Sequence, residues 1–135
     1  MPKDVRFDHV AVAVHSVEGA LPLFRDLLGG VFREEGNEPR YRWYQLQFPG
    51  GVVELLEPRG LDDFLHRFLA QHGEGLHHLT FTVKNLREWA DRLRAAGHRV
   101  VGENYSDPNW QEVFLHPRGA HGVLIQLAET LEPLE

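Results

Sequence analysis

The chain repeats one pattern of strands and helices, and this internal repeat restricts the fold more than any other feature. Residues 7–14 resemble residues 77–83, so that His9 and His78 occupy matching positions 69 residues apart. In both segments small or polar residues alternate with larger apolar ones, which is typical of β-strands. A duplication of this kind predicts two structurally similar halves.

Each half is predicted to have the order βαβββ. A helix over about 17–28 follows the first strand, with Pro22 expected in its first turn because proline lacks the N–H that a helix interior needs. A second helix over about 86–96 follows the fifth strand, with Asn85 as a candidate cap. The remaining strands are predicted at 30–33, 41–48, 52–57, 98–102, 112–116 and 123–127, with tight turns at 48–51 and 116–119.

A length of 135 residues suits a single domain, predicted here over 1–135. Its two modules, about 5–58 and 76–130, would be joined by a linker helix near 61–72. Four apolar residues fall on one face of that linker at helical spacing: Leu61, Phe64, Leu65 and Phe68. The predicted fold class is α+β, with two tandem βαβββ modules forming a curled mixed sheet around a cleft.

Charge and composition exclude several classes of protein. A formal net charge of -6 argues against a nucleic-acid partner, because phosphate binding needs a basic surface. The absence of cysteine excludes disulfides and thiolate metal ligands. No apolar run is long enough to span a membrane, and the N-terminal residues lack the apolar core of a secretion signal, so we expect a cytoplasmic protein without a membrane partner.

The two repeated histidines are predicted to lie on corresponding faces of their strands. Alternate residues of a strand share a face, so His9 lies with Ala11 and Ala13, and His78 lies with two threonines. The valines of the first strand would pack on the helix, whereas the small alanines would leave open space beside His9. A strand histidine taken alone is more commonly a hydrogen-bonded structural residue, so the signal depends on the pair.

The last strand of each half adds an oxygen ligand. Glu54 and Gln126 each interrupt an aliphatic run, where a polar side chain is costly to bury without a partner. A cation shared with His9 and His78 would satisfy both side chains. Two nitrogens and two oxygens suit one divalent metal ion, with Zn, Ni, Co, Mn and Fe as the candidates. The alternative for Glu54 alone is an edge-strand carboxylate that faces water.

The chain resembles the vicinal oxygen chelate superfamily, which includes glyoxalase I, methylmalonyl-CoA epimerases, bleomycin-resistance proteins and extradiol dioxygenases. The residues that carry the resemblance are 7–14, 53–58, 73–81, 114–117 and 122–127, and these segments are most similar to those of the epimerases. It implies the same four metal ligands, with His78 rather than His77 as the ligand of the doubled histidine. Strand parity agrees, since His77 should point to the opposite face as a surface or second-layer residue. The resemblance also implies a homodimer.

Two departures separate this chain from the epimerase pattern. Epimerases have Gln at the first oxygen-ligand position and Glu at the second, whereas Glu54 and Gln126 reverse that order. The catalytic glutamate that the resemblance implies on the third strand falls near Trp43, where this chain has no carboxylate. Epimerisation needs acid–base groups on both faces of a carbon, so one of them is missing at the expected position. Glu54 is then the candidate catalytic residue, with Glu35 or Glu38 as loop alternatives.

The leading functional hypothesis is a metal-dependent lyase or isomerase that stabilises an enolate of a small oxo, hemithioacetal or acyl-CoA substrate. Aromatic residues are predicted to line the entry to the cleft and bind the substrate: Trp43, Tyr44 and Trp110. The alternative is that these aromatics pack on neighbouring strands. The resemblance is compatible with two other functions: a metal-free binding protein of the bleomycin-resistance type, and an extradiol-type dioxygenase, which Gln126 disfavours because a carboxylate is usual there.

Overall fold

The computed structural model describes residues 4–60 and 63–134 as eight strands and three α-helices. The strands are β1 (Val5–Ala13), β2 (Val31–Asn37), β3 (Tyr41–Phe48), β4 (Gly51–Pro58), β5 (Gly75–Val83), β6 (Val100–Asn104), β7 (Gln111–Leu115) and β8 (Ile125–Glu129). The helices are α1 (Val17–Leu21), α2 (Phe64–His72) and α3 (Leu86–Ala95). None of these described helices is long and apolar enough to cross a membrane.

The α+β fold class is confirmed, because the strands form a mixed sheet built from two βαβββ halves. Within the halves the strand orders are β2-β3-β4-β1 and β5-β8-β7-β6. In each half the first and last strands pair in parallel, while the other neighbours are antiparallel. The chain also divides into two compact units, one of residues 9–77 and the other of residues 4–8 with 78–134. The single-domain assignment itself stays a prediction.

In the unit of residues 9–77, the valine face of β1 packs on α1 as predicted. Its core contains Val14, Val17, Leu21, Tyr44, Leu46 and Leu55. A short open cleft of about 580 Å³ lies on this same side, between the end of β1 and α1, and contains none of the predicted site residues.

The alanine face of β1 differs from the prediction. Ala11 and Ala13 are fully buried, because Leu65 and Leu69 of α2 cover them. The predicted linker helix thus exists, and its apolar face covers the two alanines that share the face of His9. Phe64 of that face is 45% exposed, and Leu61 lies outside the described residues.

The position predicted for Pro22 was wrong. One turn of α-helix, α1, precedes Pro22, and a π-helical segment follows over Pro22–Leu27. The proline opens this wider segment, where its missing N–H is not needed. The segment ends with Leu28 N–H donating to the carbonyl of Leu23, five residues back.

In the second unit, α3 packs on the face of β5 opposite to His78. Leu86 and Ala90 are buried against Val83, Val113 and Leu127. The side chain predicted to cap this helix does not do so, because Asn85 adopts a left-handed conformation and makes no capping bond. The carboxylate of Glu129 accepts from the backbone N–H groups of Asn85 and Leu86 instead. Glu57 accepts from Val17 N–H at the start of α1, so each half uses a carboxylate at the end of its last strand as a helix cap.

Candidate metal centre

His9 and Glu54 are brought together by the parallel pairing of β1 and β4. The register places Ala11 opposite Glu54, and His9 lies two residues earlier on the same face. His9 Nε2 is 3.5 Å from Glu54 Oε1, and the two side chains are 2% and 12% exposed. This unit therefore presents a buried imidazole and a nearly buried carboxylate side by side, as the sequence predicted.

A chain of hydrogen bonds that was not predicted from the sequence holds the carboxylate of Glu54 in place. Gln45, directly opposite Glu54 on β3, donates from Nε2 to Glu54 Oε2 at 2.7 Å. Arg33 of β2 donates to Gln45 Oε1 at 2.9 Å, which directs the amide nitrogen toward the carboxylate. One carboxylate oxygen is thus held by Gln45, while the other is the one close to His9. Gln45 could have been found from its position opposite Glu54 in the predicted hairpin.

His78 and Gln126 occupy the corresponding places in the other unit. Thr80 pairs with Gln126 in the register of β5 and β8, and His78 again lies two residues before the paired residue. Both predicted ligands are buried. Gln126 Oε1 accepts from the Thr80 hydroxyl at 2.6 Å, and its Nε2 donates to Glu112 Oε1 at 2.8 Å.

The donor chemistry of each unit fits a divalent metal ion. Each offers one imidazole nitrogen and one carboxylate or amide oxygen on the same face. The Gln126 oxygen retains a second lone pair beside the one used by Thr80, so its hydrogen bond does not prevent coordination. Borderline ions such as Zn and Ni accept such mixed N/O sets.

The three predicted substrate-binding aromatics lie in different environments. Trp43 shares the face of Gln45 on β3 and packs against α2 and the alanines of β1. Tyr44 points to the other face, where it is buried in the α1 core against Phe32, so its predicted role in substrate binding is not supported by its position. Consecutive strand residues cannot face the same side. Trp110 donates its indole N–H to Glu112 at 2.9 Å.

His77 lies on the face opposite to His78, as strand parity predicted. Its ring contacts Phe64 and Phe68 of α2, with ring centroids 5.7 and 4.8 Å away. Burial among these rings lowers the pKa of His77 to about 4, because the charged form is desolvated. His77 therefore packs as a neutral aromatic residue.

Residues 8–114 match the Glyoxalase/Bleomycin resistance protein/Dioxygenase superfamily, and the chain belongs to this superfamily.

Within the superfamily, the chain is similar to several epimerases. It is 31% identical to the ethylmalonyl-CoA/methylmalonyl-CoA epimerase of Cereibacter sphaeroides, over 92% of this chain and 97% of that protein. The crystal structure of methylmalonyl-CoA epimerase from Mycobacterium tuberculosis has a TM-score of 0.84 at 30% identity, covering 96% of this chain and 90% of that one. A hypothetical protein from Bacillus halodurans has a TM-score of 0.88 at 28% identity, covering 95% and 96%.

Proposed function

We propose that this protein is a divalent-metal-dependent isomerase that moves a proton at the carbon next to the thioester carbonyl of a short acyl-CoA. The observation that carries the proposal is that each half places a buried histidine and an oxygen-bearing side chain on the same face of two neighbouring strands, His9 near Glu54 and His78 near Gln126. The similarity to epimerases of ethylmalonyl-CoA and methylmalonyl-CoA supplies the substrate class.

The proposed metal ligands are His9, Glu54, His78 and Gln126. When bound, the ion would polarise the thioester carbonyl and stabilise the enolate that forms as the proton leaves. Glu54 is the proposed catalytic carboxylate, and Gln45 keeps one of its oxygens fixed while the proton moves. Trp43 and Trp110 are the proposed substrate-binding aromatics.

A glyoxalase I-type isomerisation of a hemithioacetal is a second candidate. It is favoured by one specific observation, since β3 carries no Asp or Glu over Tyr41–Phe48. A metal-free binding protein would not need two buried histidines beside oxygen ligands. The dioxygenase alternative would call for a carboxylate where Gln126 stands. The homodimer that the resemblance implies and the expected cytoplasmic location remain part of the proposal.

The first experiment measures the metal content of protein purified without chelator. We expect about one divalent ion per chain, and a large loss in His9→Ala and His78→Ala. His15→Ala is the matched control, because His15 is exposed six residues after His9. Only trace metal in the wild type, or equal metal content in all four proteins, would refute the proposal.

The second experiment follows proton transfer in D2O. We expect deuterium to enter methylmalonyl-CoA at the carbon next to the thioester, and expect none to enter the product of a methylglyoxal–thiol adduct above the uncatalysed level. The reverse result would replace the epimerase with the glyoxalase-type candidate. No exchange or turnover with either compound would remove both.

A further inference from the structure

Strands β3 and β7 occupy matching places in the two halves, and their registers can be compared residue by residue. Gln45 lies opposite Glu54, and Phe114 lies opposite Gln126, so both are the residue across from a proposed ligand. Two residues earlier, Trp43 pairs with Leu56 and Glu112 pairs with Ala128. Glu112 therefore corresponds to Trp43, at the same separation of 69 residues that relates His9 to His78.

This correspondence matters because Trp43 stands where the resemblance to epimerases predicts a catalytic carboxylate. The first half lacks that carboxylate, but the second half has one at the equivalent position. The proposed oxygen ligands are exchanged in the same way. The resemblance implies Gln in the first half and Glu in the second, whereas this chain has Glu54 in the first half and Gln126 in the second. A single exchange of roles between the halves accounts for all of these departures.

The surroundings of Glu112 are those of an oriented carboxylate on the ligand-bearing face. Strand parity places it on the side of Phe114, whose ring lies 6.3 Å from that of His78. Val113, between them, points into the core beneath α3. The side chain is half-buried, so it is shielded from bulk water without being sealed in the interior.

Both hydrogen bonds to Glu112 use the same oxygen. Oε1 accepts from Gln126 Nε2 at 2.8 Å and from Trp110 Nε1 at 2.9 Å. Two donors on one oxygen fix the plane of the carboxyl group and leave Oε2 to exchange a proton. Orientation of Gln126 would need only Oε1, so that role alone does not account for a carboxylate at this position.

We propose that Glu112 is the second acid–base residue of the isomerase, acting together with Glu54; the inference rests on the proposed function. One carboxylate takes the proton from the substrate carbon, and the electron pair of the broken C–H bond moves to the thioester oxygen. The other, protonated carboxyl group then delivers its proton to the opposite face, and a new C–H bond forms as the enolate collapses. The two carboxyl groups thereby exchange protonation states, and solvent restores them.

The test compares Glu112→Gln with wild type on each epimer of methylmalonyl-CoA in D2O. We expect interconversion of the epimers to fall at least about 100-fold, the usual contribution of a general acid or base. Deuterium should still replace the proton of one epimer within about tenfold of the wild-type rate, because one carboxylate remains. Glutamine keeps an acceptor oxygen for Gln126 and Trp110, so metal content should be unchanged. Glu34→Gln, an exposed change on β2, is the matched control and should behave as wild type.

The outcomes separate the inference from the proposed function. Normal interconversion in Glu112→Gln overturns the role of Glu112 while leaving the isomerase intact. Equal loss of exchange from both epimers indicates a structural role and also overturns it. Wild-type protein without exchange on either epimer refutes the proposed function and this inference together. If Glu112→Gln fails to fold or loses its metal, Glu112→Asp decides: it should keep the metal and lose interconversion at least about tenfold, and wild-type activity in that variant overturns the proposal.

Discussion

The hydrogen bond from Gln45 to Glu54 offers a direct test of how the proposed metal site is held. Replacing Gln45 with methionine keeps the length of the side chain and removes the donor. Glu54 is only 12% exposed, so water can replace the lost partner only in part. The carboxylate would then be free to rotate away from His9, and the site would bind metal more weakly.

The size of the effect follows from the charge on the acceptor. A hydrogen bond to a charged group contributes about 1.5–3 kcal/mol, and each 1.4 kcal/mol changes a binding constant about tenfold. We therefore expect the Kd for Zn²⁺ to rise about 10- to 100-fold in Gln45→Met, in the range observed when partners of metal ligands are removed. Arg33→Met should have a smaller effect, about three- to tenfold, because it frees the amide of Gln45 to rotate but leaves it in place.

The assay is a competition titration of Zn²⁺ against a chromophoric chelator. Gln47→Met is the matched control, since Gln47 lies on the same strand and bonds only to backbone carbonyls of the β3–β4 turn among the described residues. We expect the highest Kd in Gln45→Met, an intermediate Kd in Arg33→Met, and the wild-type Kd in Gln47→Met. A Kd for Gln45→Met within twofold of wild type, in a folded protein, would refute the view that this chain of hydrogen bonds positions Glu54.

Two further predictions concern stability. Burial holds the pKa of His77 at about 4, below its ordinary 6.5. The contribution of neutral His77 to the free energy of unfolding is therefore fully present above pH 6.5 and is lost as the pH falls toward 4. His77→Phe should remove up to about 3 kcal/mol of pH dependence in the free energy of unfolding over that window, measured by urea titration at several pH values, and an unchanged slope would contradict it. Glu57→Ala and Glu129→Ala should each lower the free energy of unfolding by about 1–2 kcal/mol, because each removes the carboxylate cap of a helix. Glu34→Ala, a change at an exposed residue, is the control for the two capping variants. An equal loss of unfolding free energy in Glu34→Ala would refute the capping role.

Much of the fold could be predicted because the strand pattern is local and occurs twice. β3 was predicted with its observed limits, Tyr41–Phe48, since period-two alternation is read within a few residues. The helix around Pro22 was harder, because Leu21 and Phe24 pack into one core on either side of Pro22, and such tertiary packing is not visible in the local pattern. Ala11 and Ala13 were misjudged for a similar reason: small residues indicate close approach, but only tertiary structure shows that α2 is what approaches.

The candidate site was predicted as far as strand parity and the repeat could carry it. His9, Glu54, His78 and Gln126 have the faces and burial that were expected. Gln45 and Glu112 were missed, because a polar residue on a strand is ordinary until it is compared with its cross-strand partner; for Gln45 the tight turn predicted at 48–51 would have identified that partner. Register is a property of two strands together, and a single strand does not reveal it.

A duplicated fold changes what a missing catalytic residue means. When two halves share one register, residues at corresponding positions can exchange places while the set of chemical groups that the chain carries stays the same. Compared one position at a time with the epimerase pattern, this chain has a reversed pair at Glu54 and Gln126 and a loss at Trp43. Compared half against half, it keeps two imidazoles, one carboxylate and one amide at the proposed ligand positions, and a further carboxylate at Glu112. The comparison of the two halves predicts an active isomerase, whereas the position-by-position comparison predicts a strongly impaired one. The exchange of each epimer, measured in wild type and in Glu112→Gln, decides between them.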